Sequence, residues 1–534
     1  MKLAAASFSY VDANSRIALG AAPYFNKVFR EYSFWLYMRP PRHPPSKLRR
    51  LRLEAAGAPR VDLSGPTRRE HDLLGERDVP SDALYGIQTL RAIENFCISG
   101  IELCEFPTLI AALATVKEAA ARANLDMKLI DRDIVEAIAQ AAGEIREGMH
   151  HDHFRVDMIQ GGAGTSSNMN ANEVMANRAL EILGRERGEY DIVHPNNHLN
   201  LSQSTNDVYP TSVKLALHTS IGDLQLAMIS LAAAFLHKGE EFSSFIKMGR
   251  TQLQDAVPMT LGQEFNAFAH TILEDVDRLG EAQALIREIN MGATAIGTGI
   301  NAPPQYAESV RRHLEHITGL PLITAPDLVE ATADTGAFVQ LSGVLKRCAV
   351  KLSKICNDLR LLSSGPRAGL GEINLPAMQP GSSIMPGKVN PVIPEVVNQV
   401  CFDIIGGDVT VTMAAEAGQL QLNVFEPIIA FRLLSGMTNL ERACKILRER
   451  CVEGITANPE RMRSFVENSI GVITALVPEL GYETTTEIAK EALETGRGVY
   501  DLVCERGLMT RDQLDRLLNP EAMTGPRATP LTDR

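Results

Sequence analysis

The sequence predicts an all-α fold built around long helices, and three observations support it. Apolar residues recur at helical spacing over most of the chain from about Leu73 onwards. Strands do not alternate with helices in the pattern of a doubly wound α/β sheet. Five segments keep the helical spacing over more than twenty residues with few glycines or prolines inside them, namely 207–242, 262–290, 330–362, 391–413 and 426–454.

The helical pattern divides the chain into four predicted regions. Residues 1–66 precede it, and 67–205 form an N-terminal domain with helices expected at 109–124, 131–147 and 171–183. Residues 206–457 form a central domain of long helices, and 458–534 a small C-terminal domain. Several long helices are apolar on more than one side, so we expect the bundle to bury further surface against other copies of the chain.

The first sixty residues differ in composition from the rest. They hold 11 Lys and Arg against 3 Asp and Glu, whereas the remainder holds 42 against 62. A basic, proline-containing stretch without sustained apolar periodicity favours a poorly ordered extension or an upstream translation start. An organelle transit segment is the alternative interpretation, because such segments are rich in arginine and poor in acidic residues.

Composition excludes several classes of protein. The net charge of −12 argues against nucleic-acid binding, which requires clustered positive charge. No apolar run approaches eighteen residues, so no membrane span is expected. The eight cysteines form no CxxC pair and indicate reduced, mostly buried thiols of a cytoplasmic protein.

Four segments rich in glycine and small polar residues interrupt the helical pattern. They are 160–170 (QGGAGTSSNMN), 202–211 (SQSTNDVYPT), 249–258 (GRTQLQDAVP) and 381–391 (GSSIMPGKVNP). Any one of them alone is more typical of a capped helix start. Together they predict a site for a small polyanion such as a dicarboxylate, because helix N-termini, neutral donors and one lysine can hold carboxylates without a metal.

The segment GSSIMPGKVNP resembles the signature of the aspartase/fumarase superfamily. Segments 73–96, 354–376, 392–400 and 414–427 resemble the aspartate ammonia-lyase branch rather than class II fumarase. The resemblance implies three mostly helical domains and a twenty-helix core in a homotetramer, with each active site shared by three subunits. It also implies reversible deamination of L-aspartate to fumarate and ammonia, by anti elimination through an enediolate, without a required cofactor. The sequence does not indicate whether a divalent cation such as magnesium activates the reaction.

The resemblance also assigns roles to residues of the four segments. It makes Ser382 the general base that removes the proton beside the β-carboxylate, a role that requires nearby N–H donors to stabilise its alkoxide. The residues that would bind substrate are Ser383, Ser204, Thr205 and Thr165 for the β-carboxylate, Lys388, Asn390 and Thr251 for the α-carboxylate, Asn206 and Thr165 for the amino group, and Gln252 beside them.

There are two alternative interpretations of the function. Class II fumarase is disfavoured because Gln252, opposite Glu395, stands where fumarases carry a histidine, and glutamine does not shuttle protons near neutral pH. A catalytically silent oligomeric relative would be expected to lose Ser382, Lys388 or Asn390. No metal site is predicted: the histidines of HHDH (150–153) are read as a solvated linker, and the loop of His194 and His198 as structural.

Overall fold

The computed structural model describes residue 61 and residues 63–517, and this part of the chain contains sixteen α-helices and eight short strands. The expected extension, residues 1–66, lies mostly outside the described residues. The N-terminal region consists of an antiparallel hairpin, β1 (Thr67–Asp72) and β2 (Gly75–Pro80), followed by four helices: α1 (Ile87–Asn95), α2 (Pro107–Asp126), α3 (Arg132–Arg146) and α4 (Thr165–Ile182).

The central region holds the long helices. In chain order it consists of α5 (Thr205–Glu241), the hairpin β3 (Ile246–Thr251) and β4 (Gln254–Thr260), α6 (Leu261–Leu285), β5 (Glu288–Ile289), α7 (Tyr306–Thr318), β6 (Ile323–Thr324), α8 (Leu328–Ala333), α9 (Gly336–Leu362), β7 (Ile373–Asn374), α10 (Val392–Glu416) and α11 (Glu426–Arg450). Each long helix packs on the next in the order α5, α6, α9, α10 and α11, and α11 also packs on α5. The long helices therefore form a closed bundle of five.

The C-terminal region has its own small hydrophobic core. It begins with β8 (Thr456–Ala457), which pairs with β7, and continues with α12 (Pro459–Asn468), α13 (Ile473–Leu480), α14 (Tyr482–Thr495), α15 (Val499–Glu505) and α16 (Arg511–Leu517). Met248 of β3 lies in this core with Val466, Leu476 and Ile488. The β3–β4 hairpin is thus held between the bundle and the C-terminal helices.

The mostly helical fold is confirmed, and the described residues also form four two-stranded sheets that the sequence pattern does not predict. The hairpin β1–β2 is too rich in charged residues to show strand alternation. The predicted helix 262–290 ends at Leu285, since Glu288–Ile289 pairs with Ile323–Thr324. The predicted helix 330–362 is two helices, because the extended residue Asp334 accepts a hydrogen bond from the Gly336 N–H and starts a new one.

One helix, α5, is long and apolar enough to cross a membrane, and 61% of its most apolar window is buried inside the protein. It is the helix against which α6 and α11 pack. Five of the cysteines are buried in the same region, and burial raises the pKa of the Cys401 and Cys451 thiols to about 12. Burial therefore keeps these thiols protonated near neutral pH.

Two buried carboxylates hold the start of helix α1. Glu70 accepts a hydrogen bond from the Ile87 N–H at 2.8 Å. Glu173 of α4 accepts hydrogen bonds at 2.8 to 3.0 Å from three further backbone N–H groups, those of Gly86, Gln88 and Thr89. Burial, followed by the nearby Glu70 charge, raises the pKa of Glu173 to about 7. The unpaired N–H groups of the first helical turn are satisfied by side chains distant in sequence.

We expect Glu173→Ala to destabilise the protein by at least about 2 kcal/mol, because it leaves three N–H groups, two of them buried, without an acceptor. The control is Glu181→Ala on the same helix, which breaks only partly exposed ion pairs with Arg178 and Arg187 and should cost less than about 1 kcal/mol. Chemical denaturation of the two purified variants measures the difference. Equal losses of stability would contradict this account of α1.

Candidate active site

The N-termini of helices α4 and α5 lie against each other. Gly164, the residue before α4, has φ of +91°, and a Cβ there would lie 2.4 Å from Cγ of the Tyr209 ring in the first turns of α5. Only glycine allows this approach without strain. This contact, and a hydrogen bond from the Asn168 amide to Thr205 Oγ1 at 3.2 Å, place the start of α4 beside the start of α5. Thr165 begins α4, and Ser204, Thr205 and Asn206 begin α5, so these four predicted site residues form one group.

A capping box fixes the first turn of α5. The Ser204 hydroxyl accepts a hydrogen bond from the Asn206 N–H at 3.3 Å, and Oδ1 of Asp207 accepts one from the Ser204 N–H at 2.9 Å. Burial raises the pKa of Asp207 to about 6. The start of this 37-residue helix is therefore rigid, and its positive dipole end faces the predicted anion site.

Sequence reasoning missed a fifth loop, residues 290–301 (NMGATAIGTGIN), which packs against the same turn. The Asn206 side-chain amide donates to the carbonyl oxygen of Ala295 at 2.7 Å. Oδ2 of Asp207 accepts the N–H groups of Gly292 at 3.2 Å and Thr294 at 3.0 Å. The cluster of glycines at the end of the predicted helix 262–290 could have indicated this loop, because α6 ends before it, at Leu285.

Behind this turn lies a lysine that sequence reasoning also missed. Lys117 of α2 is fully buried, and its Nζ donates to Oδ1 of Asn200 at 3.1 Å and to Oε1 of Gln203 at 2.9 Å. Burial lowers the pKa of Lys117 to about 7, a shift that the Asp207 carboxylate opposes. In the sequence Lys117 stands among alanines of an ordinary amphipathic helix, so nothing marked it.

The hydrogen bonds of the first group leave a defined set of donors and acceptors. Thr205 Oγ1 accepts from the Asn168 amide at 3.2 Å, and no described residue accepts the Thr205 proton. The Asn206 amide nitrogen donates to the backbone, which leaves its Oδ1 as an acceptor. The Thr165 hydroxyl donates to the Gly162 carbonyl at 2.6 Å, which leaves its oxygen as an acceptor.

The segment 381–390 is a loop whose two ends are joined. The Gly381 N–H donates to the Lys388 carbonyl at 2.9 Å, and the Asn390 amide donates to the Gly381 carbonyl at 2.6 Å. A Cβ on Gly381 would lie 2.5 Å from the Asn390 nitrogen, so this closure requires glycine. Ser383 and Lys388 are exposed on the loop, which leads into helix α10.

The Ser382 hydroxyl lies inside the turn of this loop. Its Oγ accepts hydrogen bonds from two backbone N–H groups, those of Ile384 at 3.2 Å and Met385 at 2.9 Å. Donors aimed at the oxygen stabilise negative charge on it. This is the environment that a serine base requires, and it comes from the loop's own backbone.

Thr251 and Gln252 lie at the exposed tip of the β3–β4 hairpin, which leads into helix α6. Gln252 and Leu253 form its two-residue turn, with φ of +54° and +62°. The buried carboxylate of Glu372 pairs with Lys247 near the base of the hairpin at 2.9 Å and with Arg250 nearer its tip at 2.6 Å. The hairpin is thus anchored while its tip projects.

The chain brings together only part of the predicted site. Thr165, Ser204, Thr205 and Asn206 form the first group, the tip of Thr251 and Gln252 the second, and the loop of Ser382, Ser383, Lys388 and Asn390 the third. Between described residues, no hydrogen bond or ion pair joins one group to another.

The described residues contain no cluster of histidine, cysteine and acidic side chains suited to a metal ion. The HHDH histidines are not a solvated linker: His150 and His151 are half-buried and bonded to Glu144 and the Ile145 carbonyl. His194 and His198 each accept backbone N–H groups within their own loop, and burial lowers the pKa of both.

Comparison with known proteins matches most of the chain. A family model described as Lyase matches residues 75–406, and one described as Fumarase C C-terminus matches residues 472–525. Aspartate ammonia-lyase from Pseudomonas canavaninivorans is 59% identical over 465 residues, which are 87% of this chain and 98% of that protein. Aspartate ammonia-lyase from Bacillus subtilis is 52% identical over 459 residues, 86% of this chain and 96% of that protein.

Two solved structures share the fold. The fumarate lyase:delta crystallin of Brucella melitensis bound to cobalt has a TM-score of 0.84 at 59% identity, covering 86% of this chain and 100% of its own. The class II fumarase of Schistosoma mansoni has a TM-score of 0.81 at 34% identity, covering 85% of this chain and 98% of its own. The overall fold is therefore shared with these two structures.

We expect Gly164→Ala to lower stability much more than Gly184→Ala, at the other end of helix α4. Both glycines have positive φ, so each alanine costs about 1 kcal/mol of backbone strain. A Cβ at Gly184 meets no atom within 4 Å, whereas at Gly164 it meets the Tyr209 ring and adds about 1–3 kcal/mol of overpacking. Melting temperatures of the two variants test this, and equal values would contradict the contact between α4 and α5.

Proposed function

This chain belongs to the aspartate ammonia-lyase family, and we propose that it converts L-aspartate reversibly to fumarate and ammonia. The observation that carries the reaction is the identity of 52% to 59% to aspartate ammonia-lyases of several bacteria over nearly their whole length. The activity is that of a carbon–nitrogen lyase. The roles of individual residues rest on the geometry described above.

Ser382 is the proposed general base. Deamination removes a proton from the carbon beside the β-carboxylate, and the carboxylate becomes an enediolate as charge develops on it. A serine does this only as an alkoxide, whose formation nearby donors favour. The two N–H groups directed at Ser382 Oγ support this role.

The first group supplies a fitting set of contacts for an amino dicarboxylate. In our proposal Thr205, Ser204 and Ser383 donate hydrogen bonds to the β-carboxylate, where donors strengthen as charge develops. The free acceptors on Asn206 and Thr165 take the protonated amino group.

The other two groups hold the α-carboxylate end, through Lys388 and Asn390 of the loop and Thr251 and Gln252 of the hairpin tip. The donors needed by carboxylates and the acceptors needed by an ammonium group are thus separated on neighbouring side chains.

Class II fumarase is the weaker alternative. The class II fumarase of Schistosoma mansoni is only 34% identical, against 59% for the aspartate ammonia-lyase of Pseudomonas canavaninivorans. Gln252 lacks the titratable ring that hydration chemistry would use, and Glu395 lies in the first turn of α10 rather than beside it in this chain. A silent relative is disfavoured because Ser382, Lys388 and Asn390 are all present.

We infer that the working form is a homotetramer with a twenty-helix core in which each site draws its three groups from three subunits. Four copies of the five-helix bundle give twenty helices. Helix α10 carries an exposed apolar stripe that a single chain leaves uncovered, formed by Phe402, Val409 and Met413. A stripe of this kind on a long helix is typical of a subunit interface. The separation of the three groups within one chain supports the shared site.

We expect Ser382→Ala to lower kcat for L-aspartate by at least about a hundredfold, the usual contribution of a general base. Binding should persist, because the hydroxyl is small and lies within the loop. Fumarate absorbance measures turnover, and stabilisation of the protein against heat by succinate, an unreactive dicarboxylate, measures binding. Turnover near that of the unaltered protein would remove Ser382 from the role of base, and loss of succinate binding would give it a structural role instead.

A further inference from the structure

A chain of side-chain amides connects Lys117 to the Thr205 hydroxyl. Lys117 Nζ donates to Oδ1 of Asn200, and the same oxygen accepts from the amide nitrogens of Asn168 at 3.1 Å and Asn172 at 3.2 Å. The Asn168 nitrogen also donates to Thr205 Oγ1 at 3.2 Å. All of these side chains except Asn200 are buried.

Asn200 fixes the direction of the hydrogen bonds in this chain. Its amide nitrogen donates to the Gln203 carbonyl at 3.2 Å, so the Asn200 atom that faces Lys117 must be the oxygen. The Asn168 atom that faces this oxygen must then be its NH2 group, because a reversed amide would oppose two acceptors. The same NH2 group reaches Thr205, which can therefore only accept on that side.

The Thr205 hydroxyl proton therefore points away from Asn168. A hydroxyl has one proton and two lone pairs, and one lone pair is used by Asn168. No described residue accepts the proton. We propose that Asn168, oriented by the Asn200 oxygen, is a positioning residue that holds the Thr205 hydroxyl as a hydrogen-bond donor toward the substrate carboxylate. This inference rests on the proposed function, which gives Thr205 the β-carboxylate.

Two isosteric variants separate this role from packing. Asn168→Asp replaces the donating NH2 group by a carboxylate oxygen, which accepts the Thr205 proton and turns it away from substrate. Asn172→Asp on the same helix makes the same change of charge and size and also loses a bond to Asn200, but Asn172 does not contact Thr205. We expect Asn168→Asp to lower kcat at least about tenfold more than Asn172→Asp, with a smaller change in KM, because the donor acts chiefly on the developing enediolate.

A double-mutant cycle with Thr205→Val makes the test specific. Thr205→Val removes the hydroxyl without changing the size of the side chain and should itself lower kcat. In that background Asn168→Asp should change kcat by less than about twofold, since no hydroxyl remains to be turned. Melting temperature and oligomer size of each variant show that the folded protein is being compared.

The outcomes distinguish the inference from the proposed function. Failure of the unaltered protein to form fumarate from L-aspartate would overturn the proposed function. With that activity present, an unchanged kcat in Thr205→Val, equal losses in the two asparagine variants, or a full additional loss in the double variant would overturn the inference alone. If Asn168→Asp does not fold, Asn168→Ala and Asn172→Ala enter the same cycle. The loss is then expected to be smaller, because the hydroxyl is free to turn rather than held away, and to vanish in the Thr205→Val background.

Discussion

The unpaired N–H groups at the start of long helices are the constraint on which this structure depends. A bundle of apolar helices offers no chemistry along its length, but each helix begins with several donors that need partners. Here those partners are Ser204 and Asp207 at the start of α5, while Gly164 lets α4 begin directly against it. The result is a rigid polar corner on an otherwise apolar scaffold, where fixed donors can meet a carboxylate.

Burial of polar groups around this corner follows from the same constraint. Asn168 and Lys117 lie deep in the protein, and both donate to Oδ1 of the half-buried Asn200. Water is largely excluded from these contacts, so each hydrogen bond has a definite direction that solvent does not scramble. In the loop 381–390 the donors are backbone N–H groups of the loop itself, which donate to Ser382 Oγ.

Much of this was predictable from the sequence. Helical periodicity gave the long helices, and four polar interruptions gave the loops at which the predicted site residues lie. The hairpins were missed because charged strands such as β1 show no alternation, and α4 was predicted to start at 171 because its first residues are asparagine and serine. Those residues are helical since Asn170 finds partners in Arg155 and His153 of another segment. Lys117 and the 290–301 loop act through contacts that are distant in sequence, which no local pattern reveals.

The central claim is that one site is assembled from groups on different copies of the chain. Mixed tetramers of two inactive variants, Ser382→Ala and Thr205→Val, test it most directly, with a different affinity tag on each so that mixed species are purified. If the groups come from different subunits, random mixing returns about a quarter of the sites to full activity, although each variant alone is impaired. If purified mixed tetramers show no recovery beyond the sum of the two variants, both groups serve the same site from one chain and the account is contradicted.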